Sequence, residues 1–244
     1  MSAVVWHDLE CGRYRQDLSL WLELAAQATS DGGALLDVGS GTGRVTLPLA
    51  RAGHCVVALD RDPELLAELA RRAAGLPVET VCADARDFVL TGRRFPLIAV
   101  PMQTIQLLGG ADGHAAFFRS AAAHLTPGGL VAVALAATED FEEFEWREGD
   151  PGPLPDIAEI AGRAYFSQPT AVRRIDSTYV LERHREMVEP DGRRSGSDDR
   201  IALDIMTVAD VERAAAATGL RRRALRRVEP TDEHIGSEVV ILGV

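Results

Sequence analysis

The stretch with the clearest chemical signal is Leu35-Leu36-Asp37-Val38-Gly39-Ser40-Gly41-Thr42-Gly43, an apolar run into an acid followed by glycine at every second position. The apolar run reads as a buried strand and the segment after Gly43 as a helix. Residues without a Cβ let the backbone turn tightly and come close to a ligand. The free N–H groups that open the helix favour an anionic ligand group. The glycine spacing narrows the ligand. A dinucleotide fingerprint beginning at Gly39 needs its third glycine at position 44, where Arg44 stands. A P-loop needs Gly-Lys-Ser/Thr, and the chain has no lysine. The Asp37 carboxylate would repel a pyrophosphate and suits a ligand with a positive amino group.

Further polar candidates stand at the ends of later apolar runs. Asp60 closes Cys55–Leu59, about seventeen residues after Gly43, near the spacing at which an acid takes ribose hydroxyls. Arg61 follows, and Asp62-Pro63-Glu64 opens a helix as N-cap, N1 proline and first-turn acid. Asp62 therefore caps, and Asp60 is expected to stay free for a ligand. Val78–Cys82 reads as a third strand leading into Ala83-Asp84-Ala85. Phe95–Val100 reads as a fourth, ending at Pro101-Met102-Gln103-Thr104. Ligands of open α/β sheets sit at the carboxyl ends of strands, which makes Gln103 the candidate for substrate contact.

Asp37-Val-Gly39-Ser-Gly41-Thr-Gly43 resembles the first motif of the class I S-adenosylmethionine-dependent methyltransferases. The turn Leu125-Thr-Pro-Gly-Gly129 before a fifth apolar run resembles the same family, so the resemblance covers residues 35 to 136. It implies a Rossmann-like α/β fold: a seven-stranded, mostly parallel sheet with helices on both faces, ending in an antiparallel edge hairpin. It also implies S-adenosylmethionine as cofactor and S-adenosylhomocysteine as product. In the family an acid at the place of Asp84 receives the adenine amino group, and the next N–H, here Ala85, meets a ring nitrogen. Asp87 is the competing acid. The segment Trp6–Tyr14 resembles the N-terminal cover of small-molecule methyltransferases, which puts Tyr14 near the cofactor. The expected cofactor set is then Tyr14, Asp37, Gly39, Ser40, Gly41, Gly43, Asp60, Arg61, Asp84, Ala85, Pro101 and Met102. The segment after the fourth strand lacks the Asp/Asn-Pro-Pro-aromatic and Pro-Cys patterns of DNA base methyltransferases, so that acceptor is not expected.

Three parts are expected to carry this site. Residues 1–30 form a helical cover, with an amphipathic helix from Asp17 to Ala28. Residues 31–137 and 205–244 form the core, with a helix at Val45–Ala52 and another at Asp112–Leu125 capped by Asp112. Residues 138–204 form an inserted antiparallel β appendage, a lid or a dimerisation surface. Its strands are expected at Ala164–Gln168, Ala171–Glu189 and Arg200–Met206, with a turn at Pro190-Asp191-Gly192. Thr207 to Asp210 resembles a capping box. Arg221, Arg222, Arg223, Arg226 and Arg227 read as a solvated edge strand paired with acidic surface. Cys11, Cys55 and Cys82 read as free thiols, the last two buried in strands.

Composition bounds the partners. The 244 residues carry a formal net charge of −11, which argues against nucleic acid, since such binders need a basic face. The chain has no apolar run long enough for a membrane helix and no signal-peptide start, so a cytoplasmic protein and a small-molecule partner are expected, with a possible homodimer. Methyl transfer from a sulfonium is an in-line displacement helped chiefly by alignment. An amine acceptor needs only to arrive neutral, whereas a hydroxyl needs a general base. Glu139 and Asp140, just beyond the fifth strand, are the best-placed candidates for that base. His7, and more distantly His114 and His234, are the others. No spacing suggests a metal. The reading is methyl transfer to N or O of a small molecule. The alternatives are RNA or protein methylation, or a non-catalytic binder of the cofactor. A nicotinamide oxidoreductase is argued against by Asp37 and the place of Gly43.

Overall fold

A computed structural model of the chain describes residues 3–29, 32–136, 141–147, 149, 152–231 and 234–244. Seven strands form the core sheet: β1 (Leu35–Val38), β2 (Val56–Asp60), β3 (Val78–Cys82), β4 (Phe95–Val100), β5 (Leu125–Ala136), β11 (Arg221–Val228) and β12 (Ser237–Gly243). Their order is β3-β2-β1-β4-β5-β12-β11. The first five run parallel, and β12 pairs antiparallel with both β5 and β11. The expected α/β architecture is the observed one.

Continuous apolar strands suit a sheet covered on both faces. Alternation along β1 and β2 sends Leu36, Val38, Val57 and Leu59 into one cluster, completed by Phe117 and Phe118 of α5 (Gly110–Ala123) and Val211 of α6 (Val208–Ala216). Leu35 and Val56 go to the other face, against Trp21 and Leu24 of α2 (Leu18–Ala28) and Leu49 of α3 (Thr46–Arg51). The helix α4 (Pro63–Arg72) packs Leu66 and Leu69 on Ala58. Asp37 shares the face of Leu35, and so points at the start of α3.

Several local expectations are corrected. Asp112 lies inside the first turn of α5, whose N-cap is Gly109 at φ +82. An acid there still favours the helix dipole, but the left-handed backbone makes the entry and suits glycine. Thr126–Gly129 lies inside β5 as an irregularity: pairing jumps from Phe95↔Leu125 to Leu97↔Leu130. Cys55 and Cys82 are exposed, because Cys55 precedes β2 and Cys82 ends the outermost strand, which has no neighbour on one side.

The insertion forms a second, antiparallel sheet: β6 (Phe144–Glu145), β7 (Asp156–Ile160), β8 (Arg163–Ile175), β9 (Thr178–Val188) and β10 (Arg194–Asp204). The order is β10-β9-β8-β6, with β7 also on β8. The expected single strand over 171–189 is two strands, folded back at Asp176, which takes φ +53. The charged run from Arg194 to Asp199 also pairs as strand. Cross-strand partners there, including Arg194–Glu186 and His184–Asp198, override a weak local propensity. After β10, the capping box at Thr207 and Asp210 is present with both bonds. The basic strand β11 lies at the sheet edge, with Arg226 on Glu23 and Arg222 on Glu212, as expected of a solvated edge.

Candidate functional site

A cavity of about 360 Å³ opens at the carboxyl ends of β1, β2, β3 and β4, walled by α1 (Ala3–Glu10) and the second sheet. Asp37, Gly39, Ser40, Asp60, Arg61, Asp84, Ala85, Pro101, Met102 and Gln103 all line it. They come from four separate strand ends, brought together by the parallel order.

Asp37 is buried, and its Oδ2 accepts from Thr46 Oγ1 at 2.5 Å. Its Oδ1 has no hydrogen-bond partner among the described residues, and neither does the buried Ser40 Oγ. Burial pushes the Asp37 carboxyl up to about 6, with Thr46 and Arg44 pulling down and Asp60 and Asp17 pushing up. An orphaned acid in a cavity wall is the feature expected where a ligand cation completes the site.

The three glycines have different reasons. A Cβ on Gly39 would fall 2.5 Å from Thr104 Oγ1, so the β1 and β4 loops can meet only without one. A Cβ on Gly41 would fall 2.3 Å from His7 Nε2, so α1 lies directly over this glycine. Gly43 does not line the cavity. Its Cβ would fall 2.4 Å from Leu69 Cδ1, which makes it a packing position at φ +97 and corrects its place among the expected ligand contacts.

Asp60 is also more engaged than expected. Its Oδ2 accepts from Gly41 N at 2.8 Å and its Oδ1 from Asp62 N at 3.0 Å. The carboxylate therefore fixes the glycine loop while keeping lone pairs toward the cavity. Asp62 caps α4 as expected, accepting from Glu64 N and Leu65 N. Asp84 lines the cavity and Asp87 does not. Asp84 is bound to Arg86 at 2.6 Å, and that guanidinium, with the Arg86 N–H, brings the carboxyl down to about 2.

Tyr14 is corrected. It is a buried core residue, 5.1 Å from the His234 ring, and it does not line the cavity. It acts on the wall through Arg44, which lies over its ring and donates to its carbonyl oxygen at 3.1 Å. Arg44 also forms a buried two-pronged pair with Asp17, at 2.6 and 2.8 Å, and Trp21 Nε1 donates to the same carboxylate. Met102 takes φ +54, a left-handed backbone uncommon outside glycine, where β4 turns into the wall.

The cover is held on two sides. Asp8 accepts from Thr42 Oγ1 at 2.6 Å and from both terminal nitrogens of Arg72. Burial opposes ionisation there, but bonds from His7, Arg72 and Thr42 hold the carboxyl well below its usual range. Glu10 accepts from Arg185 of β9 at 2.6 and 2.7 Å and from Ser167 of β8 at 2.7 Å. Trp6 packs edge-on to Tyr165, with ring centroids 5.5 Å apart. His7, Glu10, Arg44, Arg185 and Ile201 thus join the wall. Only His7 was expected there. Glu10 and Arg185 lie 175 positions apart, beyond any local pattern.

Of the base candidates, His7 lines the cavity with its Nδ1 3.3 Å from Thr42 Oγ1. His114 and His234 do not line it, and Glu139 and Asp140 lie outside the described residues. Among the described residues no cluster of three or more His, Cys, Asp or Glu is placed to hold a metal ion. No helix among them is long and apolar enough to cross a membrane.

Residues 35–129 match a family described as a methyltransferase domain. The chain is 30% identical over 149 residues to a cypemycin N-terminal methyltransferase from a Streptomyces species, over 61% of this chain and 59% of that protein. The match thus spans under two thirds of that relative's length. It is 28% identical over 212 residues to the dTDP-3-amino-3,4,6-trideoxy-α-D-glucopyranose N,N-dimethyltransferase of Streptomyces venezuelae, over 85% and 84% of the two chains. The fold is similar to that of the sugar N-methyltransferase KedS8 from a Streptoalloteichus species, with a TM-score of 0.77, 21% identity and coverage of 99% and 92%.

Proposed function

We propose that the chain is a class I S-adenosylmethionine-dependent methyltransferase, as its match to a methyltransferase domain over residues 35–129 and its fold support, and that it transfers a methyl group from S-adenosylmethionine to an amino nitrogen of a small molecule. The observation that carries the reading is the orphaned Asp37 Oδ1 beside the unpartnered Ser40 Oγ in the cavity wall. When bound, the cofactor supplies an electrophilic methyl on a sulfonium. Asp37 would receive its amino group, and Asp60 its ribose hydroxyls. Asp84 and the Ala85 N–H would take the adenine edge. Gly39 and Ser40 let the backbone approach, while Gly41, which does not line the cavity, gives α1 its seat and its N–H to Asp60.

Pro101, Met102 and Gln103 line the same cavity as Arg185 and Ile201 of the second sheet, and an acceptor held there would align with the methyl group. His7 is the described group placed to take a proton from an aminium acceptor. The described carboxylates of the wall are engaged, Glu10 with Arg185, Asp84 with Arg86, Asp62 at its helix cap and Asp37 and Asp60 toward the cofactor, which leaves none to activate a hydroxyl, whereas an amine needs only to lose one proton. Relatives that act on amino groups point the same way. The acidic balance of the chain supports a small-molecule partner over nucleic acid and fits a cytoplasmic enzyme. The second sheet serves as the acceptor lid, with its outer face open to a homodimer.

The test is transfer of labelled methyl from S-adenosylmethionine to a panel of amino sugars, peptide N-termini and phenols. Label on the amines with release of S-adenosylhomocysteine is expected. Label on phenols alone would replace the amine by a hydroxyl.

A further inference from the structure

The chain leaves the core sheet at Ala136, the last residue of β5, and returns at Asp204, the last of β10. Between these two points it builds the second sheet. One side chain touches both. Gln106 sits in the 3-10 turn Thr104–Leu107 after β4 and is fully buried. Its Oε1 accepts from Ala136 N at 2.8 Å and its Nε2 donates to Asp204 O at 3.1 Å. The Asp204 carboxylate extends the tie: its Oδ2 accepts from Gly110 N at 2.7 Å and lies 2.9 Å from the buried His114 Nε2, both at the start of α5.

We propose that Gln106 is a positioning residue that sets the second sheet against the core wall of the cavity. A buried amide is costly unless its bonds are made. An apolar side chain of similar volume would fill the space but could not fix both hinges in one direction. The turn that holds Gln106 also brings Thr104 and Leu107 to the core wall, while Ile201, three residues before Asp204, lines the opposite wall. The amide therefore sets the spacing between the two walls. His114 and Asp204 do not line the cavity, so their pairing extends this tie and is no catalytic dyad. The proposal rests on the reading of the second sheet as the lid of the cavity that cofactor and acceptor share.

The test compares wild type, Gln106→Leu and Gln106→Glu by residue-resolved hydrogen exchange and by the dissociation rate of S-adenosylhomocysteine. In the Leu variant, exchange at Ala136 and along β8 to β10 is expected to rise about tenfold or more, with β1 and β4 unchanged. Dissociation of S-adenosylhomocysteine is expected to quicken about fivefold. The Glu variant at pH 8 keeps an acceptor for the Ala136 amide and loses the donor to Asp204, so β10 should loosen while Ala136 stays protected. That asymmetry would not follow from packing alone, and it carries the test if the Leu variant fails to fold. Exchange that rises equally in both sheets, or nowhere, overturns the proposal, as does an unchanged dissociation rate with a loosened sheet. Failure of the wild type to bind S-adenosylhomocysteine would overturn the cofactor reading, and the exchange pattern would still decide the role of Gln106.

Discussion

The two sheets of this molecule are built on opposite principles. Every residue of β1 is buried, and the parallel strands hold together through apolar contact on both faces. In β8, β9 and β10 burial is mixed, and the strands are laced by Arg173–Glu182, Arg183–Asp156, Arg185–Asp199 and Arg194–Glu186. Exposed ion pairs contribute roughly 0–1 kcal/mol each. The seat of the second sheet therefore depends on a few buried contacts: Trp6 and Leu9 against Tyr165, Glu10 with Arg185 and Ser167, and Gln106 at the hinges. A rigid sheet that fixes cofactor-facing atoms is joined to a sheet whose position can be tuned.

The contrast should break most sharply on the core side. Asp17→Ala leaves the buried Arg44 guanidinium without its carboxylate and removes the acceptor of Trp21 Nε1. Breaking a buried pair on one side costs about 3–5 kcal/mol, so the urea midpoint should fall accordingly. A loss comparable to that of an exposed pair of the second sheet, such as Arg173–Glu182, would show that the two regions do not differ in this way.

The next effect is one of pH. In the ligand-free protein the Asp37 carboxyl lies at about 6, above its usual 3.8. Its contribution to stability is full below the usual value and is lost as the pH rises through about 6. A cationic amino group opposite Oδ1 favours the carboxylate, so cofactor binding below about pH 6 must release a proton. Affinity should weaken up to about tenfold per pH unit below that point and stay level above it. Calorimetry from pH 5 to 8 checks this, and Asp37→Asn should bind more weakly and without the dependence.

The smallest effect is expected in the second sheet. Asp176 holds φ +53 in the β8–β9 turn, and Asp176→Gly should raise stability by about 0.5–1 kcal/mol in denaturant unfolding without changing cofactor affinity.

This difference also explains what was legible in the sequence. The core strands and the residues at their ends are local patterns: an apolar run, an acid, then glycines or a helix cap. Asp37, Gly39, Asp60, Asp84 and Met102 could be placed from spacing and family resemblance, and all line the cavity. Gly43 and Tyr14 could not be sorted into packing rather than lining, because that depends on Leu69 and Arg44 arriving from other elements. The second sheet was legible as an antiparallel insertion with a turn at Pro190-Asp191-Gly192, but not in its strand ends. Arg194 to Asp199 has little strand propensity and pairs because β9 is there, and the break at Asp176 carries no glycine or proline. Glu10 with Arg185, and Gln106 with Asp204, are contacts between distant parts of the chain that no spacing announces.

The most direct measurement is calorimetric titration of the wild type and Asp60→Ala with S-adenosylmethionine and, separately, with NADH. S-adenosylmethionine alone is expected to bind. Loss of the carboxylate that holds Gly41 and faces the cavity should weaken this binding by about a hundredfold. Binding of NADH, or S-adenosylmethionine binding that is absent or indifferent to the substitution, would contradict the cofactor reading.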